Sequence, residues 1–237
     1  GCRTVFLQML SSGTGLPLEK LRTGSGSTEF APDSGTTSGS RQTLITGEAV
    51  KEVAKLFRKE LDLHGGRISE LEGREFFYEF FDPTDKLGAE KEFPKSHVAY
   101  AYATNVVILD PEGRVTDVYA AHDAGKVVNP ISIQGQIEGG VLMGMGYALT
   151  EDFPLKDCIP AAKLGTLGLL RANQIPDIHA TYVERETQLP FAYGAKGVGE
   201  ISSIPIAPAI AGAYYALDGV FRTKLPMDNT YYRKKKS

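Results

Sequence analysis

The sequence has few cysteines, no long apolar segment and no excess of charge of either sign. Its 237 residues include two cysteines, Cys2 and Cys158, too few for a disulfide framework or a CxxC metal site, which predicts a reducing compartment, the cytoplasm. Apolar stretches end well before the roughly 18 residues that a membrane-spanning helix requires. No basic segment precedes an apolar one at the N-terminus, as it would in a signal peptide. The formal net charge of −3 gives no indication of binding to nucleic acid or to an anionic membrane.

What is present is the composition of a folded domain. Hydrophobic residues make up 42% and charged residues 23%, which excludes wholesale disorder. The length is that of one large domain or two modest ones, and a boundary near residues 90–97 would separate two subdomains. Apolar residues stand at helical spacing from Val5 onward, earlier than is usual after a natural N-terminus, so we expect a piece of a longer polypeptide.

The periodicity of apolar residues predicts four helices and three strands. The helices are predicted over residues 5–10, 46–64, 130–148 and 205–217, and the strands over residues 98–109, 114–121 and 178–184. Thr46 would cap the second helix, Gly65 and Gly66 would end it, and the Ala-rich fourth helix is expected to be buried. The turn 110–113 would join the first two strands into a hairpin. Because strands and helices alternate without a strict βαβ rhythm, we expect an α+β fold with mixed sheets and packed helices.

Residues 67–95 are charged and aromatic. They predict a short strand or an excursion that docks its aromatic side chains on a neighbouring element. The basic residues 233–236 at the end of the chain are expected to be solvated.

Glycine is the over-represented residue. Its 26 occurrences, about 11% against about 7% in average proteins, concentrate in the stretches 24–26, 34–40, 135–146 and 194–199. Because glycine lets a backbone approach a ligand or another backbone, these clusters indicate a large ligand contacted by main chain. The alternative is that they serve loops and tight helix packing.

A hydroxyl-rich loop precedes the second helix. Residues 32–42 combine serine, threonine and glycine with Arg41 and Gln42, and so offer N–H and O–H donors together with one fixed positive charge. Such a loop suits a phosphate or an oxyanion. The alternative is a flexible linker.

Two further segments carry polar side chains near the third helix. Gln136 lies among glycines, so its amide could bind a ring, or it could be a buried glutamine satisfied by backbone. The dipeptide His122-Asp123 invites a catalytic interpretation, but neighbours on a strand point to opposite faces. We therefore expect Asp123 and Asn129 to hold a turn that sets the start of the helix.

Residues 193–200, Tyr-Gly-Ala-Lys-Gly-Val-Gly-Glu, end on a carboxylate. Three glycines precede Glu200 and an apolar run follows it, so we expect its carboxylate to be desolvated and suited to the role of a general base. The alternative is a capping glutamate near a helix N-terminus.

The order and spacing of these segments are similar to those of the molybdenum-cofactor-binding subunit of the molybdenum hydroxylases, the xanthine dehydrogenase and aldehyde oxidase family. The resemblance runs from Gly1 to about Pro226 through a Ser-Gly-Ser-Arg-Gln loop, a DxGxxxNP turn, a GQxEGG helix and GAKGVGE, the most specific of the four. Of the family's GQGxxT turn, only residues 1–4 would remain. The resemblance thus implies the C-terminal molybdopterin-binding domain over residues 1–237.

The resemblance also implies which residues contact the cofactor. Those that would surround the pterin and its phosphate or dinucleotide tail are Ser38, Gly39, Ser40, Arg41 and Gln42. Gln136 would contact the cofactor through its side-chain amide. A second group would contact it through backbone: Lys196, Gly197, Val198 and Gly199. Glu200 matches the glutamate beside the molybdenum, a general base in the transfer of a water-derived oxygen to an electron-poor carbon. Such a base typically contributes about 10²–10⁴ in rate.

The implied cofactor is molybdopterin, as such or as its cytosine dinucleotide. Its dithiolene holds the molybdenum, so no metal ligand is expected from this chain. Two cysteines cannot ligate an iron–sulfur cluster, which needs four ligands, and no flavin motif is present, so a 2Fe–2S cluster and FAD would belong to partner domains or subunits. Together with the N-terminal part of the same subunit they would form an oligomeric enzyme. We expect the isolated segment to be inactive and to bind the cofactor poorly.

The substrate is a separate expectation. Residues 201–205 are more similar to bacterial xanthine dehydrogenases than to aldehyde oxidoreductases, which favours a purine or a related N-heterocycle. The alternatives are an aldehyde oxidoreductase of the same family, a non-catalytic module that binds the pterin cofactor without needing Glu200, and a structural interaction domain whose glycines serve packing.

Overall fold

A computed structural model describes residues 1–24, 26–29, 31, 33–86, 88–184 and 189–233. Pro32 of the hydroxyl-rich loop and residues 234–236 of the basic tail lie outside these ranges. The α-helices are α1 (Cys2–Thr14), α2 (Gln42–Leu63), α3 (Pro130–Leu149) and α4 (Ile206–Asp218), and the strands are β1 (Ala103–Leu109), β2 (Val115–Asp123), β3 (Leu155–Lys156), β4 (Ile159–Pro160) and β5 (Asp177–Val183). This mixture of helices and sheets confirms the α+β class.

The chain divides into two units, and each of them is discontinuous in sequence. The first unit comprises residues 1–101, 124–132 and 184–197, and the second comprises residues 102–123, 133–183 and 198–237. No helix among the described residues is long and apolar enough to cross a membrane.

The first unit is built on α1 and α2. Met9 of α1 forms a buried cluster with Ala192 and Ala195. A Cβ atom at Gly47 of α2 would lie 2.9 Å from the Met9 sulfur, so glycine at this position allows the two helices to approach closely.

The start of α2 differs from the prediction, whereas its end agrees. The helix begins at Gln42, and Thr46 lies in its second turn, where its hydroxyl accepts a hydrogen bond of 2.9 Å from the Gln42 side chain. Thr46 is therefore not the N-cap. The helix starts earlier because burial of Leu44 favours the helical conformation over the preceding residues. It ends at Leu63, just before the left-handed Gly65 and Gly66 with φ of 62° and 78°.

The aromatic segment 67–95 forms a 3-10 helix over Ile68–Leu71 and no strand among its described residues. Phe76 packs edge-on against Phe57 of α2 at a centroid distance of 5.6 Å, and Phe80 packs against Phe191 at 5.3 Å. The interpretation as a docked excursion is thus confirmed for these two rings, whereas Phe77 and Phe81 are exposed.

The second unit contains a three-stranded mixed sheet in the order β1-β2-β5. β1 and β2 form the predicted hairpin, in which the Gly113 N–H donates to the Asp110 carbonyl oxygen at 2.9 Å. β5 lies parallel to β2, so that Ala120 pairs with Ala180. The predicted first strand is shorter at its start, since residues 98–102 are outside β1.

Two helices belong largely to this unit. In α3, Cβ atoms at Gly140 and Gly144 would lie 2.0 Å from the Ser202 hydroxyl oxygen and 2.3 Å from Ile206 Cγ2, so these glycines serve close packing. α4 buries Ile206, Ile210 and Tyr214 but exposes Tyr215 and Leu217. The prediction of a buried fourth helix therefore holds for one face of α4 only, because the other face remains in solvent.

Candidate functional site

The hydroxyl-rich loop of the first unit leads directly into α2. Gly39 and Ser40 adopt left-handed conformations with φ of 61° and 52°, so the chain turns sharply before the helix begins. The Arg41 guanidinium donates to the Thr36 carbonyl oxygen at 2.8 Å, and the Thr37 hydroxyl donates to the Gln42 side-chain oxygen at 3.0 Å. These hydrogen bonds connect residues 36–37 of the loop to Arg41 and Gln42 at the start of α2.

The same loop concentrates groups that attract anions. Ser38 and Gly39 are exposed, and Ser40 and Arg41 are partly exposed. They precede the N-terminus of a 22-residue helix whose first turn has no side-chain cap. Helix N-termini attract negative charge through their unpaired N–H groups, and Arg41 adds a guanidinium. The loop is therefore chemically suited to a phosphate.

The segment 194–197 pairs with the turn that precedes α3. Gly125 forms a β-bridge with Ala195, the Lys126 N–H donates to the Gly194 oxygen at 2.9 Å, and the Lys196 N–H donates to the Ala124 oxygen at 3.1 Å. A Cβ atom at Gly125 would lie 2.3 Å from the Gly194 oxygen. The glycine of the DxGxxxNP turn thus allows two stretches of main chain to meet.

The structural interpretation of that turn is confirmed at Asn129. Its side-chain oxygen accepts a hydrogen bond of 2.8 Å from the Ser132 N–H, in the first turn of α3. In the second unit, His122 is fully buried, and burial lowers the pKa of its imidazole while backbone groups of Ala120 and Ser202 offset part of this effect.

Gly197 brings the hydroxyl-rich loop and the GAKG segment together. A Cβ atom at Gly197 would lie 1.5 Å from the Ser40 carbonyl oxygen and 2.4 Å from its carbon. Any side chain at this position would displace the backbone of Ser40. Two segments that are 157 positions apart in the sequence numbering are therefore in main-chain contact within the first unit.

Gln136 lies in the second unit, on α3, and is exposed. Its side-chain nitrogen donates to the Val198 carbonyl oxygen at 3.0 Å. The side chain is thus bound to backbone, as the structural alternative predicted, but it is not buried. This contact joins the GQxEGG helix to the second half of GAKGVGE.

Glu200 begins a 3-10 helix over Glu200–Ser203. The Ser203 hydroxyl donates to the Glu200 carbonyl oxygen at 2.8 Å, and the Ser202 hydroxyl donates to that of Gly199 at 3.1 Å. Glu200 is exposed, so the expected desolvation of its carboxylate is wrong for this chain. The apolar residues that follow do not form a buried cover for it, since Ile204 is 67% exposed and burial resumes at Ile206, the first residue of α4.

The predicted site residues are therefore distributed over both units. Ser38, Gly39, Ser40, Arg41, Gln42, Lys196 and Gly197 belong to the first unit, and Gln136, Val198, Gly199 and Glu200 belong to the second. The division falls at the peptide bond between Gly197 and Val198. Among the described residues, no group of three His, Cys, Asp or Glu side chains is placed to hold a metal ion.

Sequence reasoning missed Glu48. This residue of α2 is only 5% exposed, and its carboxylate accepts a hydrogen bond of 2.5 Å from the Ala192 N–H. Lys51 lies beside it, with its ammonium 3.1 Å from a Glu48 oxygen. The available signal is an acidic residue four positions after the buried Leu44, hence on a buried stripe of the helix.

Comparisons with known proteins identify the family of the chain. The model of the molybdopterin cofactor-binding domain matches over residues 1–75 and 66–176. The chain is 28% identical over 96% of its length to a probable xanthine dehydrogenase subunit of Bacillus subtilis, of which it covers 35%. It is 30% identical over 90% of its length to the aldehyde oxidoreductase of Megalodesulfovibrio gigas, of which it covers 25%.

Solved structures show the same fold. The chain superposes on the aldehyde oxidoreductase from Desulfovibrio gigas with a TM-score of 0.75 and 26% identity, over 92% of this chain and 26% of that one. It thus spans about a third or less of the length of the relatives it matches. The chain belongs to the molybdopterin cofactor-binding domain family, the domain of the xanthine dehydrogenase and aldehyde oxidoreductase enzymes known as molybdenum hydroxylases.

Proposed function

We propose that this chain contributes the C-terminal, cofactor-contacting part of a molybdenum hydroxylase. The observation that carries the proposal is the main-chain contact between Ser40 and Gly197, where a Cβ atom would lie 1.5 Å from the carbonyl oxygen. It joins the loop with anion-binding chemistry to the most family-specific segment. A packing role alone would not require Arg41 and exposed hydroxyl groups next to that contact.

The donors of the loop fit the molybdenum cofactor. Ser38, Ser40 and Arg41, with the N-terminus of α2, would hold its phosphate or dinucleotide tail, assisted by Gly39 and Gln42. Lys196, Gly197, Val198 and Gly199 would contact the pterin through backbone, and Gln136 would bind it while its nitrogen orients the Val198 carbonyl. When bound, the cofactor supplies the redox chemistry that introduces a water-derived oxygen into the substrate.

Glu200 is proposed as the general base. Its carboxylate would accept the proton released in that reaction, and its place at the start of a 3-10 helix sets the backbone from which it extends. Because it is exposed in this chain, the remainder of the protein would have to exclude water from it.

The substrate, partners and location extend the proposal. A purine or a related N-heterocycle is favoured by residues 201–205, and an aldehyde is the alternative. The relatives include proteins named for either substrate and several named as subunits of larger enzymes, such as one subunit of a nicotinate dehydrogenase from Pseudomonas putida. We propose partner domains or subunits with a 2Fe–2S cluster and FAD, assembly into an oligomer in the cytoplasm, and no activity of the isolated segment.

The test is the cofactor content of the full-length protein, expressed in a host that makes the cofactor. Gly197→Ala should reduce molybdenum and pterin at least tenfold, because its Cβ displaces the Ser40 backbone. The matched control is Gly212→Ala, whose Cβ would have no atom within 4 Å. Arg41→Ala removes a partly exposed guanidinium together with its hydrogen bond to the Thr36 carbonyl oxygen, and it should also lower the content while the circular dichroism spectrum is retained.

A contrary result would identify a structural module instead. That interpretation requires that Arg41→Ala leaves the cofactor content unchanged, or that the native full-length protein contains neither molybdenum nor pterin.

A further inference from the structure

Glu48 is a buried acidic residue to which none of the roles above applies. It lies in α2 and is 5% exposed. One carboxylate oxygen accepts the Ala192 N–H at 2.5 Å, and the Lys51 ammonium donates to both oxygens at 3.2 and 3.1 Å. A buried charge is costly unless it is paired and hydrogen-bonded, and Glu48 meets both conditions through these two partners.

Lys51 adds a second attachment to the same stretch of backbone. Its ammonium donates to the Pro190 carbonyl oxygen at 2.5 Å, two residues before the N–H that Glu48 accepts. One turn of α2 therefore binds the backbone of residues 190–192 at both ends, and a charged side chain makes the hydrogen bond at each end. Hydrogen bonds to charged groups are the stronger class.

The backbone that follows this attachment is strained. Ala192, Tyr193 and Gly194 have φ of 46°, 56° and 81°, and the first two are side-chain-bearing residues in the left-handed region. Such residues persist only where their surroundings over-determine the conformation. The Tyr193 side chain is constrained as well, because its hydroxyl packs directly against Gly13 of α1. A Cβ atom at Gly13 would lie only 2.3 Å from that hydroxyl oxygen.

The strained turn leads directly into the segment that meets the hydroxyl-rich loop. Three residues after Gly194, Gly197 contacts the Ser40 carbonyl, and Ser40 stands two residues before the start of α2. The helix that carries Glu48 and Lys51 is thus the helix that begins at this loop. A single rigid element connects both segments.

We propose that Glu48 and Lys51 are positioning residues, which hold the backbone of residues 192–197 against the Ser40 loop in the arrangement that binds the pterin cofactor. The proposal rests on the proposed function for the identity of the ligand. The backbone geometry that it assigns to the pair is independent of that ligand.

The experiment uses the full-length protein from a cofactor-producing host, with two readouts. Hydrogen exchange reports on residues 189–197, and metal and pterin analysis reports the cofactor per folded molecule. Glu48→Ala should accelerate exchange at the Ala192 amide at least tenfold, the effect of losing a charge-assisted hydrogen bond, and lower the cofactor content severalfold. Glu48→Gln, which keeps an oxygen that can accept the Ala192 N–H, should restore most of both.

Leu61→Ala is the control for general destabilisation, because it removes a buried side chain from the far end of the same helix. It should leave exchange at residues 192–197 and the cofactor per folded molecule unchanged. Three results would overturn the proposal. They are an equal loss of cofactor in Leu61→Ala and Glu48→Ala, unchanged exchange in Glu48→Ala, and faster exchange in Glu48→Ala with full cofactor content. A wild-type protein without cofactor would refute the proposed function instead, and the exchange data would still decide whether Glu48 holds this backbone.

Discussion

At the scale of single residues, glycines and glutamates of this chain differ in how closely other atoms surround them. Gly197 leaves no room for a Cβ beside the Ser40 carbonyl, whereas Gly212 leaves open space. Glu48 is buried and accepts a backbone N–H, whereas Glu200 is exposed at the start of a short helix. The two acidic residues therefore differ in burial, and the roles proposed for them differ accordingly: Glu48 as a positioning residue and Glu200 as the general base.

Replacing Glu200 by glutamine tests the chemical role. Glu200→Gln is nearly isosteric and removes only the ability to accept a proton, so turnover of the full-length enzyme should fall about 10²–10⁴-fold while molybdenum and pterin contents stay at the wild-type level. Steady-state kinetics and metal analysis on the same preparation measure both quantities.

Glu112→Gln is the matched control, because Glu112 lies in the exposed hairpin turn of the same unit. Wild-type turnover is expected from it. If Glu200→Gln also retained wild-type turnover, Glu200 would not be the base, and a non-catalytic cofactor-binding module would be the better description.

At the scale of elements, α3 uses glycine in two ways. Gly140 and Gly144 face Ser202 and the start of α4, with no space for a methyl group. Gly135 and Gly139, on another side of the helix, would have open space within 4 Å of an added Cβ atom. The first pair allows the 3-10 helix that carries Glu200 to lie directly on the α3 backbone.

This difference predicts opposite effects of two identical substitutions. Gly144→Ala should destabilise the protein by roughly 1–3 kcal/mol, the usual cost of overpacking, since its Cβ would lie 2.3 Å from Ile206 Cγ2 and 2.5 Å from the Ser203 oxygen. Gly139→Ala should stabilise it by up to about 1 kcal/mol through helix propensity. Urea titration of both variants against the wild type measures the two free energies, and destabilisation by Gly139→Ala would show that its open face is occupied.

Local sequence signals predict the elements that depend on local chemistry. The hairpin follows from its turn residues 110–113, and the start of α3 follows from Asn129, whose side chain caps the helix. The sequence places the start of α2 too late, because Thr46 resembles an N-cap whereas burial of Leu44 extends the helix. Glu48 could not be assigned, since its partner Ala192 is 144 residues away and no local pattern encodes that contact.

The site is predictable only in part for the same reason. The segments containing Arg41, Gln136 and Gly197 are recognisable from composition and order, but the contact of Gly197 with Ser40 joins segments far apart in the sequence, and no local pattern pairs them. The exposure of Glu200 depends on which residues cover its side chain in the folded chain. The apolar residues that follow it in the sequence therefore do not predict whether its carboxylate is desolvated.

At the scale of the whole molecule, two units that alternate along the sequence share the candidate residues, with the division at the peptide bond after Gly197. The chain spans about a third of its curated relatives, and the loop residues Ser38 and Gly39, Gln136 and Glu200 are all exposed. We expect the cofactor to need further contacts from the remainder of the protein.

The corresponding prediction compares residues 1–237 alone with the full-length protein, both purified from the same cofactor-producing host. The segment should carry less than about a tenth of the molybdenum and pterin per mole, because a ligand held on one side only loses most of its binding free energy. Circular dichroism of the segment shows whether it is folded. Cofactor near one per folded segment would mean that this chain is sufficient for binding.

The contact between Glu48 and Ala192 also orders events during synthesis. The two residues are 144 positions apart, so at about 5–20 residues per second the ribosome adds Ala192 roughly 7–30 s after Glu48. Throughout that interval α2 carries a carboxylate and an ammonium without the backbone groups that satisfy them in the finished fold. The first unit is therefore completed only when nearly all of these residues have been made, and a molecule truncated before residue 190 would leave the ribosome with both charges lacking those partners.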